Sequence, residues 1–267
     1  MKKLDAHTHI YPSLIAEKAC ENLGNFYNFE VKCSGTDDDL VSQLVDNEFC
    51  GMFILGVATN AKQVKHVNNN LIRAKRKADE KGLEAYTFAG MHQDFEDMPA
   101  EVERCHELGF TGFKIHPDIQ GADIDDKRFY PLYEAIEGRM PLVLHMGDDR
   151  PEYRFSEPGK LFKIAKEFPK LKICASHLGG YKAWEEAKCL HGLPNIWYDL
   201  SSSLWAIPPE EAEKIISECG YDRVMYGSDY PVCTVEEYLG YFSKLTLPDN
   251  VYEDIFYNNA MRFISLD

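Results

Sequence analysis

Residues 141–177, PLVLHMGDDRPEYRFSEPGKLFKIAKEFPKLKICASH, contain two short apolar runs, at 141–146 and 171–176, separated by a segment of helical spacing at 158–168. Short apolar runs bounded by turn residues predict buried strands, and apolar residues that recur every three or four positions predict an amphipathic helix. Two strands joined by a helix pair in parallel through a right-handed crossover. This stretch therefore predicts one β-α-β unit.

The same alternation extends in both directions along the chain. Six more apolar runs lie at 3–6, 50–57, 85–91, 110–115, 195–200 and 223–228. Further helices are predicted at 37–48, 61–81, 98–108, 127–138, 181–190, 209–219, 234–245 and 249–264, and a long loop at 20–36 that could help cover the active-site mouth. Eight units fit a closed (β/α)₈ TIM barrel better than an open sheet. We expect one α/β domain over 1–267, because no linker marks a boundary.

The composition restricts the class of protein. Hydrophobic residues make up 45% of the 267, enough for a large core, and the net charge of −15 disfavours binding to nucleic acid or anionic lipid. No apolar run approaches the ~20 residues that span a bilayer. The eight cysteines form no C-x-x-C pair, which suits reduced thiols. We therefore expect a cytoplasmic protein.

Imidazole and carboxylate side chains lie where the predicted strands end, namely at His7, His9, His145, His177 and Asp229. Catalytic groups of such barrels project from these carboxyl ends. A lone histidine there is more often a hydrogen-bonded residue than a metal ligand. Five such residues in this order make a metal centre the better interpretation, and their ligand types suit zinc or a similar divalent ion.

Side chains on a strand alternate between its two faces, which predicts their directions. His7 and His9 should point the same way. By the same reasoning, Ile173, Ala175 and His177 should share a face.

Seven segments carry a family resemblance. They are DAHTHIYP at 5–12, GFTGFKIHP at 109–117, PLVLHMG at 141–147, FPKLKICASHLGG at 168–180, YDLSS at 198–202, VMYGSDYP at 224–231 and NNAMRFI at 258–264. In this order they resemble the amidohydrolase superfamily, specifically the amidohydrolase-related (amidohydrolase 2) branch that contains the aminocarboxymuconate semialdehyde decarboxylase group.

The resemblance implies roles for the residues at the strand ends. His7, His9, His145 and Asp229 correspond to metal ligands, and His177 to the catalytic histidine. Asp229 would also accept a proton during catalysis, from a water whose pKa the bound ion lowers from ~15.7 toward ~7. One zinc ion is favoured over two, with Mn²⁺ and Fe²⁺ as alternatives.

Lys114 and His116 are open between metal and substrate roles. In binuclear members of the superfamily a strand-4 lysine is carboxylated and bridges two metals, whereas with one metal Lys114 or His116 would contact substrate. The remaining alternative is that Lys114 is a structural ion-pair partner in the barrel mouth.

Candidate substrate contacts lie in the loops after strands 5 to 7, at Arg150, Arg154, Tyr181 and Trp205. Arginine suits carboxylate or phosphate, which favours a small anionic substrate, such as a carboxylated one. The alternative is that these arginines only pair with Asp148, Asp149 and Glu152.

Three functions remain open from the sequence. The default is hydrolysis of an amide, ester or lactone bond by a metal-activated water. The alternatives are non-oxidative decarboxylation and a non-catalytic metal-binding barrel. The expected partner is a small molecule; barrels of this type often form homodimers, and the sequence leaves that state open.

Overall fold

The computed structural model describes residues 1–265 and contains eight parallel strands in sequential order. The strands are β1 (Leu4–Thr8), β2 (Gly51–Leu55), β3 (Glu84–Gly90), β4 (Gly112–Ile115), β5 (Leu142–Leu144), β6 (Ile173–Ala175), β7 (Ile196–Asp199) and β8 (Val224–Met225). The Ala6 amide donates to the Tyr226 carbonyl at 2.8 Å, which joins β1 to the end of β8. The predicted (β/α)₈ TIM barrel is confirmed.

Helices alternate with the strands and cover the outside of the barrel. They are α1 (Ala16–Tyr27), α2 (Asp37–Asp46), α3 (Val64–Glu80), α4 (Met98–Glu107), α5 (Pro117–Gln120), α6 (Tyr130–Ile136), α7 (Pro158–Glu167), α8 (Trp184–Ala187), α9 (Pro209–Cys219), α10 (Val235–Phe242) and α11 (Asn259–Ile264). Within residues 1–265 no helix is both long and apolar enough to cross a lipid bilayer.

The prediction of a long loop over 20–36 was wrong for the first half of that segment, which is helical. Helix α1 occupies Ala16–Tyr27 and buries Ala16 and Cys20, one helical turn apart. Asn28 ends the helix in a left-handed conformation at φ 57°, which asparagine tolerates better than most residues. The helix has no side-chain cap at its start, so a common sequence signal for a helix was missing.

The interior of the barrel is filled by apolar side chains beneath the polar strand ends. Phe53, Phe88 and Trp197 pack there with Phe263 of α11. A second, larger apolar cluster lies between the outer faces of the strands and the helices. This filled interior leaves the mouth at the carboxyl ends of the strands as the place for a site.

The side-chain alternation predicted for β6 holds for Ile173 and Ala175 but does not extend to His177. Cys174 points into the barrel interior, whereas Ile173 and Ala175 pack in the outer cluster. The strand ends at Ala175, and the backbone of His177 and Leu178 is left-handed, with φ of 60° and 55°. His177 therefore reaches the mouth through a turn and not through the alternation of a strand.

An irregularity in β1 directs the two nearby histidines. Asp5 pairs with Met52 but Thr8 pairs with Ile54, so β1 contains one extra residue between them. Such bulges change the direction of side chains and are frequent next to active sites. His7 lies within this irregular stretch and His9 directly after it, and the two side chains converge, as predicted.

Candidate active site

Three polar side chains converge at the mouth of the barrel. Nε2 of His7 lies 3.2 Å from Nε2 of His9 and 3.4 Å from Oδ1 of Asp229. Nε2 of His9 lies 3.7 Å from the same oxygen. We refer to His7, His9 and Asp229 as the triad.

The second nitrogen of each triad histidine is already occupied. Nδ1 of His7 lies 2.9 Å from Oδ2 of Asp199, and Nδ1 of His9 lies 2.9 Å from the Leu55 carbonyl. These acceptors hold the proton on Nδ1, so that each Nε2 presents a lone pair, as in metal-ligating histidines. Burial, followed by the nearby His7 and Lys114, lowers the pKa of His9 to about 3.

Two lone pairs and a carboxylate oxygen thus face one another with no proton between them. Such a group is electrostatically unfavourable unless a cation lies among its members. Neutral imidazole and carboxylate are the ligands that zinc, manganese and iron(II) accept. The donor set therefore fits a divalent metal ion.

Asp199 is a site residue that the sequence assignments missed. It is fully buried, and its Oδ1 atom accepts hydrogen bonds from the backbone amides of His177 and Ser201, both at 3.1 Å. Burial alone would raise its pKa, but the contacts with His7 and His177 outweigh burial and hold the pKa of Asp199 below its usual range. The sequence did contain a signal for Asp199, because it is the last residue of β7 and therefore lies at the carboxyl end of a strand, as the other site residues do.

A second group of polar side chains lies beside the triad. His116, Asp118 and His145 place one ligand atom each within 4.8 Å of one another. The rings of His116 and His145 are stacked, with centroids 3.8 Å apart. The structure thus unites three of the four predicted metal ligands in the triad and places His145 in this neighbouring group.

The hydroxyl of Tyr27 in α1 reaches into this second group. It lies 2.8 Å from Nε2 of His116 and 3.4 Å from Nε2 of His145. Nδ1 of His116 accepts the Ile119 amide at 3.4 Å, so Nε2 of His116 carries the ring proton of a neutral imidazole. The Tyr27 hydroxyl therefore accepts from His116 and donates to His145. Tyr27 was missed because it lies in the segment predicted as a loop.

The catalytic candidate His177 continues the same line of hydrogen bonds. Its Nδ1 atom lies 2.9 Å from the Ser201 carbonyl, which holds the ring proton there. Its Nε2 atom lies 2.9 Å from Nδ1 of His145 and accepts the proton of that ring. Both nitrogens of His145 are consequently used, one toward His177 and one toward Tyr27.

Lys114 is buried beneath the site on β4. Its Nζ atom has no hydrogen-bond partner among residues 1–265, and burial lowers the pKa of the amine to about 8, against the opposing effect of Asp199 and Asp229. The alternative of a structural ion pair lacks a partner within this part of the chain. His116, two residues later, lies in the second group.

The family of the chain follows from a match to a family model. The amidohydrolase family model matches residues 4–266. The chain belongs to the amidohydrolase family. The resemblance noted in the sequence is therefore confirmed.

Curated relatives of this amidohydrolase carry one name. A protein from Caenorhabditis elegans, 2-amino-3-carboxymuconate-6-semialdehyde decarboxylase, is 24% identical over 242 residues; the coverage is 63% of this chain and 59% of the relative. A protein of the same name from Dictyostelium discoideum is 27% identical over 205 residues; the coverage is 62% of this chain and 57% of the relative. The matched region spans just under three-fifths of each relative.

A solved structure shares the fold of this amidohydrolase. It is 5-carboxyvanillate decarboxylase from Novosphingobium aromaticivorans, in complex with manganese and 4-hydroxy-3-methoxy-5-nitrobenzoic acid. The two superpose with a TM-score of 0.73 at 18% identity, over 98% of this chain and 96% of the other.

The site of this amidohydrolase opens into a cavity of about 1040 Å³ beneath α1. The cavity is lined by three of the predicted substrate contacts, Arg150, Tyr181 and Trp205. His116 also lines it, together with His9 and Asp229 of the triad. Arg154 lies outside the residues that line the cavity; it is exposed and pairs with Glu157. This favours the alternative of an arginine paired within the protein, although the partner is Glu157 and none of the three acids named in that alternative.

Arg150 fastens the end of α1 over the cavity. Its Nη2 and Nε atoms lie 2.6 and 2.8 Å from the two carboxylate oxygens of Asp148, and Nη1 donates to the Phe26 carbonyl. The guanidinium also lies over the rings of Phe26, Tyr27 and Tyr153. Arg150 thus lines the predicted substrate site, but its charge is already paired with Asp148.

Proposed function

We propose that this member of the amidohydrolase family is a metal-dependent, non-oxidative decarboxylase that acts on a small carboxylated molecule. The curated relatives and the solved structure cited above all carry decarboxylase names, which supports this function over the hydrolysis expected from sequence alone. The observation that carries the proposal is the triad, whose unprotonated donors face one another beside the buried His177.

The triad would hold the metal ion. His145, the fourth predicted ligand, borders the same cavity, and it would have to give up its contact with Tyr27 or His177 to bind the ion. Manganese, which the solved decarboxylase contains, and zinc both accept these donors. A bound divalent cation supplies electrostatic stabilisation of the negative charge that develops on the substrate as the carboxylate bond breaks.

Side chains of the protein must deliver one proton to the substrate. Loss of carbon dioxide breaks a carbon–carbon bond and leaves an electron pair on the substrate carbon, which then takes up one proton. We assign delivery of this proton to Nε2 of His177, which lies 2.9 Å from Nδ1 of His145 and can pass the proton of that ring to the substrate, while Nδ1 of His177 is held by the Ser201 carbonyl at 2.9 Å. A ring whose Nδ1 atom is fixed in this way presents its Nε2 atom in one direction, as general acid–base catalysis requires.

Asp229 has two parts in the proposal. One oxygen, Oδ1, belongs to the triad, while Oδ2 accepts a hydrogen bond from Ser202 at 2.5 Å. This contact orients the carboxylate toward the two imidazoles. Asp229 is the second group that could exchange a proton with the substrate.

The test is to load the protein with Mn²⁺ or Zn²⁺ and to offer aromatic carboxylates and lactones in parallel. We expect carbon dioxide release from a carboxylate by the metal-loaded protein and its loss by at least about 100-fold in His177→Asn. Lactone opening without release of carbon dioxide would replace the proposal by hydrolysis. Metal binding without turnover of either class would favour a non-catalytic barrel.

A further inference from the structure

The cavity contains cationic side chains, but each of them already has a carboxylate partner. Among the described residues that line it, the lysines and arginines are Lys18, Lys32, Arg150 and Lys182. Their nitrogens lie 2.8, 2.5, 2.6 and 2.7 Å from oxygens of Glu21, Glu237, Asp148 and Asp149, respectively. The positive charges of the walls are therefore neutralised within the protein.

Carboxylates that line the cavity outnumber these cations. They are Glu30, Asp148, Asp149, Asp229 and Glu237, and the whole chain has a net charge of −15. A negatively charged group placed against these walls would meet like charge and would lose its hydration without gaining a free cationic partner. Only the triad end, with its metal, offers an anion a favourable place.

The remaining wall is largely apolar. Leucine and phenylalanine side chains of α1 and its following turn line one side, at Leu23, Phe26 and Phe29. Val57 and Trp205 line the cavity from the loops at the barrel rim, and Val67 lines it from α3. A cavity of about 1040 Å³ is at the upper end of the range for small-molecule sites. An uncharged body larger than a single ring fits this surface.

We propose that the substrate carries a single carboxylate, bound at the triad end, attached to an uncharged and mostly apolar body that occupies the space beneath α1. This inference rests on the proposed function for the position of the carboxylate. It excludes a second carboxylate on that body.

The test measures binding to the Mn²⁺-loaded protein by calorimetric titration with 2-naphthoate, naphthalene-2,6-dicarboxylate and benzoate. We expect 2-naphthoate to bind about tenfold more tightly than benzoate, because the second ring buries more apolar surface, and about tenfold more tightly than the dicarboxylate, because the second charge stays unpaired. Dicarboxylate binding equal to or tighter than that of 2-naphthoate, or no binding of 2-naphthoate, would overturn the inference.

A variant examines the charge argument directly. Asp149→Asn releases Lys182 from its partner and should strengthen binding of the dicarboxylate several-fold while leaving 2-naphthoate unchanged. The matched control is Asp125→Asn, which releases Lys163 from a similar pair, 3.0 Å apart and remote from the residues that line the cavity; neither ligand should change. An unaltered affinity for the dicarboxylate in Asp149→Asn would count against the inference.

Binding and turnover separate this inference from the proposed function. If the binding order holds but no carbon dioxide is released from any carboxylate, the assignment as a decarboxylase fails and the substrate class stands. If a dicarboxylate is decarboxylated as readily as its monocarboxylate analogue, the substrate class fails and the decarboxylase stands.

Discussion

The carboxylate of Asp199 lies 2.9 Å from Nδ1 of His7, with both side chains buried. A carboxylate that accepts the other ring N–H of a ligating histidine fixes the tautomer of that histidine and raises its basicity. We expect Asp199→Asn to remain folded and to bind Mn²⁺ or Zn²⁺ about 10–100-fold more weakly. Calorimetric metal titration measures this, with circular dichroism to monitor folding.

The control for Asp199 is Asp222→Asn, which alters a side chain that is 71% exposed and pairs only loosely with Arg223. It should leave metal affinity unchanged. Equal affinities of the Asp199 variant and the wild type would show that the buried carboxylate has no influence on the metal.

Position 227 requires glycine because its backbone lies close to the His7 side chain. A Cβ atom at this position would lie 2.8 Å from Cβ of His7, closer than side chains tolerate. Gly227→Ala should displace His7, lower the free energy of unfolding by about 1–3 kcal/mol and weaken metal binding. Chemical denaturation and metal titration test both effects.

Gly240 provides the matched control, since it lies in α10 and a Cβ atom added there would have no other atom within 4 Å outside its own stretch of helix. Gly240→Ala should stabilise the helix by about 0.5–1 kcal/mol and leave metal affinity unaltered. A Gly227→Ala protein with normal stability and metal binding would contradict the packing argument.

The barrel could be predicted because its signal is periodic and local. Each strand is a short apolar run, and most of the runs end in polar residues such as His145 or Asp229. The inward direction of His177 was predicted for the wrong reason, since it depends on left-handed backbone at His177 and Leu178. Alternation along a strand does not extend through such a turn.

Residues contributed by distant segments could not be predicted in the same way. Tyr27 contacts His116 and His145, which are 89 and 118 positions away in the chain. That contact depends on where α1 packs, and nothing in the segment 16–27 itself specifies this. The pairing of Arg150 with Asp148 was foreseen as an alternative, because the two are neighbours in sequence.

The hydroxyl of Tyr27 can be removed without losing its ring. Tyr27→Phe leaves the packing against Phe26 and Phe29 but deprives His116 and His145 of their shared partner. We expect kcat to fall by roughly tenfold or more, with little change in melting temperature, because the two imidazoles lose their fixed orientation.

Tyr130→Phe is the control for Tyr27, because its hydroxyl bonds Glu167 on the outside of the barrel. It should leave kcat unchanged. If Tyr27→Phe also turns over at the wild-type rate, the hydroxyl has no part in the reaction.

The buried amine of Lys114 should destabilise the metal-free protein in a pH-dependent way. Burial lowers its pKa from 10.5 to about 8, so at neutral pH the protonated amine costs about 3 kcal/mol of folding free energy. Lys114→Met removes this cost and should raise the melting temperature of the metal-free protein below pH 8. The unfolded chain keeps the proton up to about pH 10.5 and the folded chain only to about pH 8, so the advantage of the variant should shrink as pH rises between these values. Thermal denaturation of both proteins across this range measures the difference. A variant that is less stable than the wild type at pH 7 would show that Lys114 has a stabilising partner.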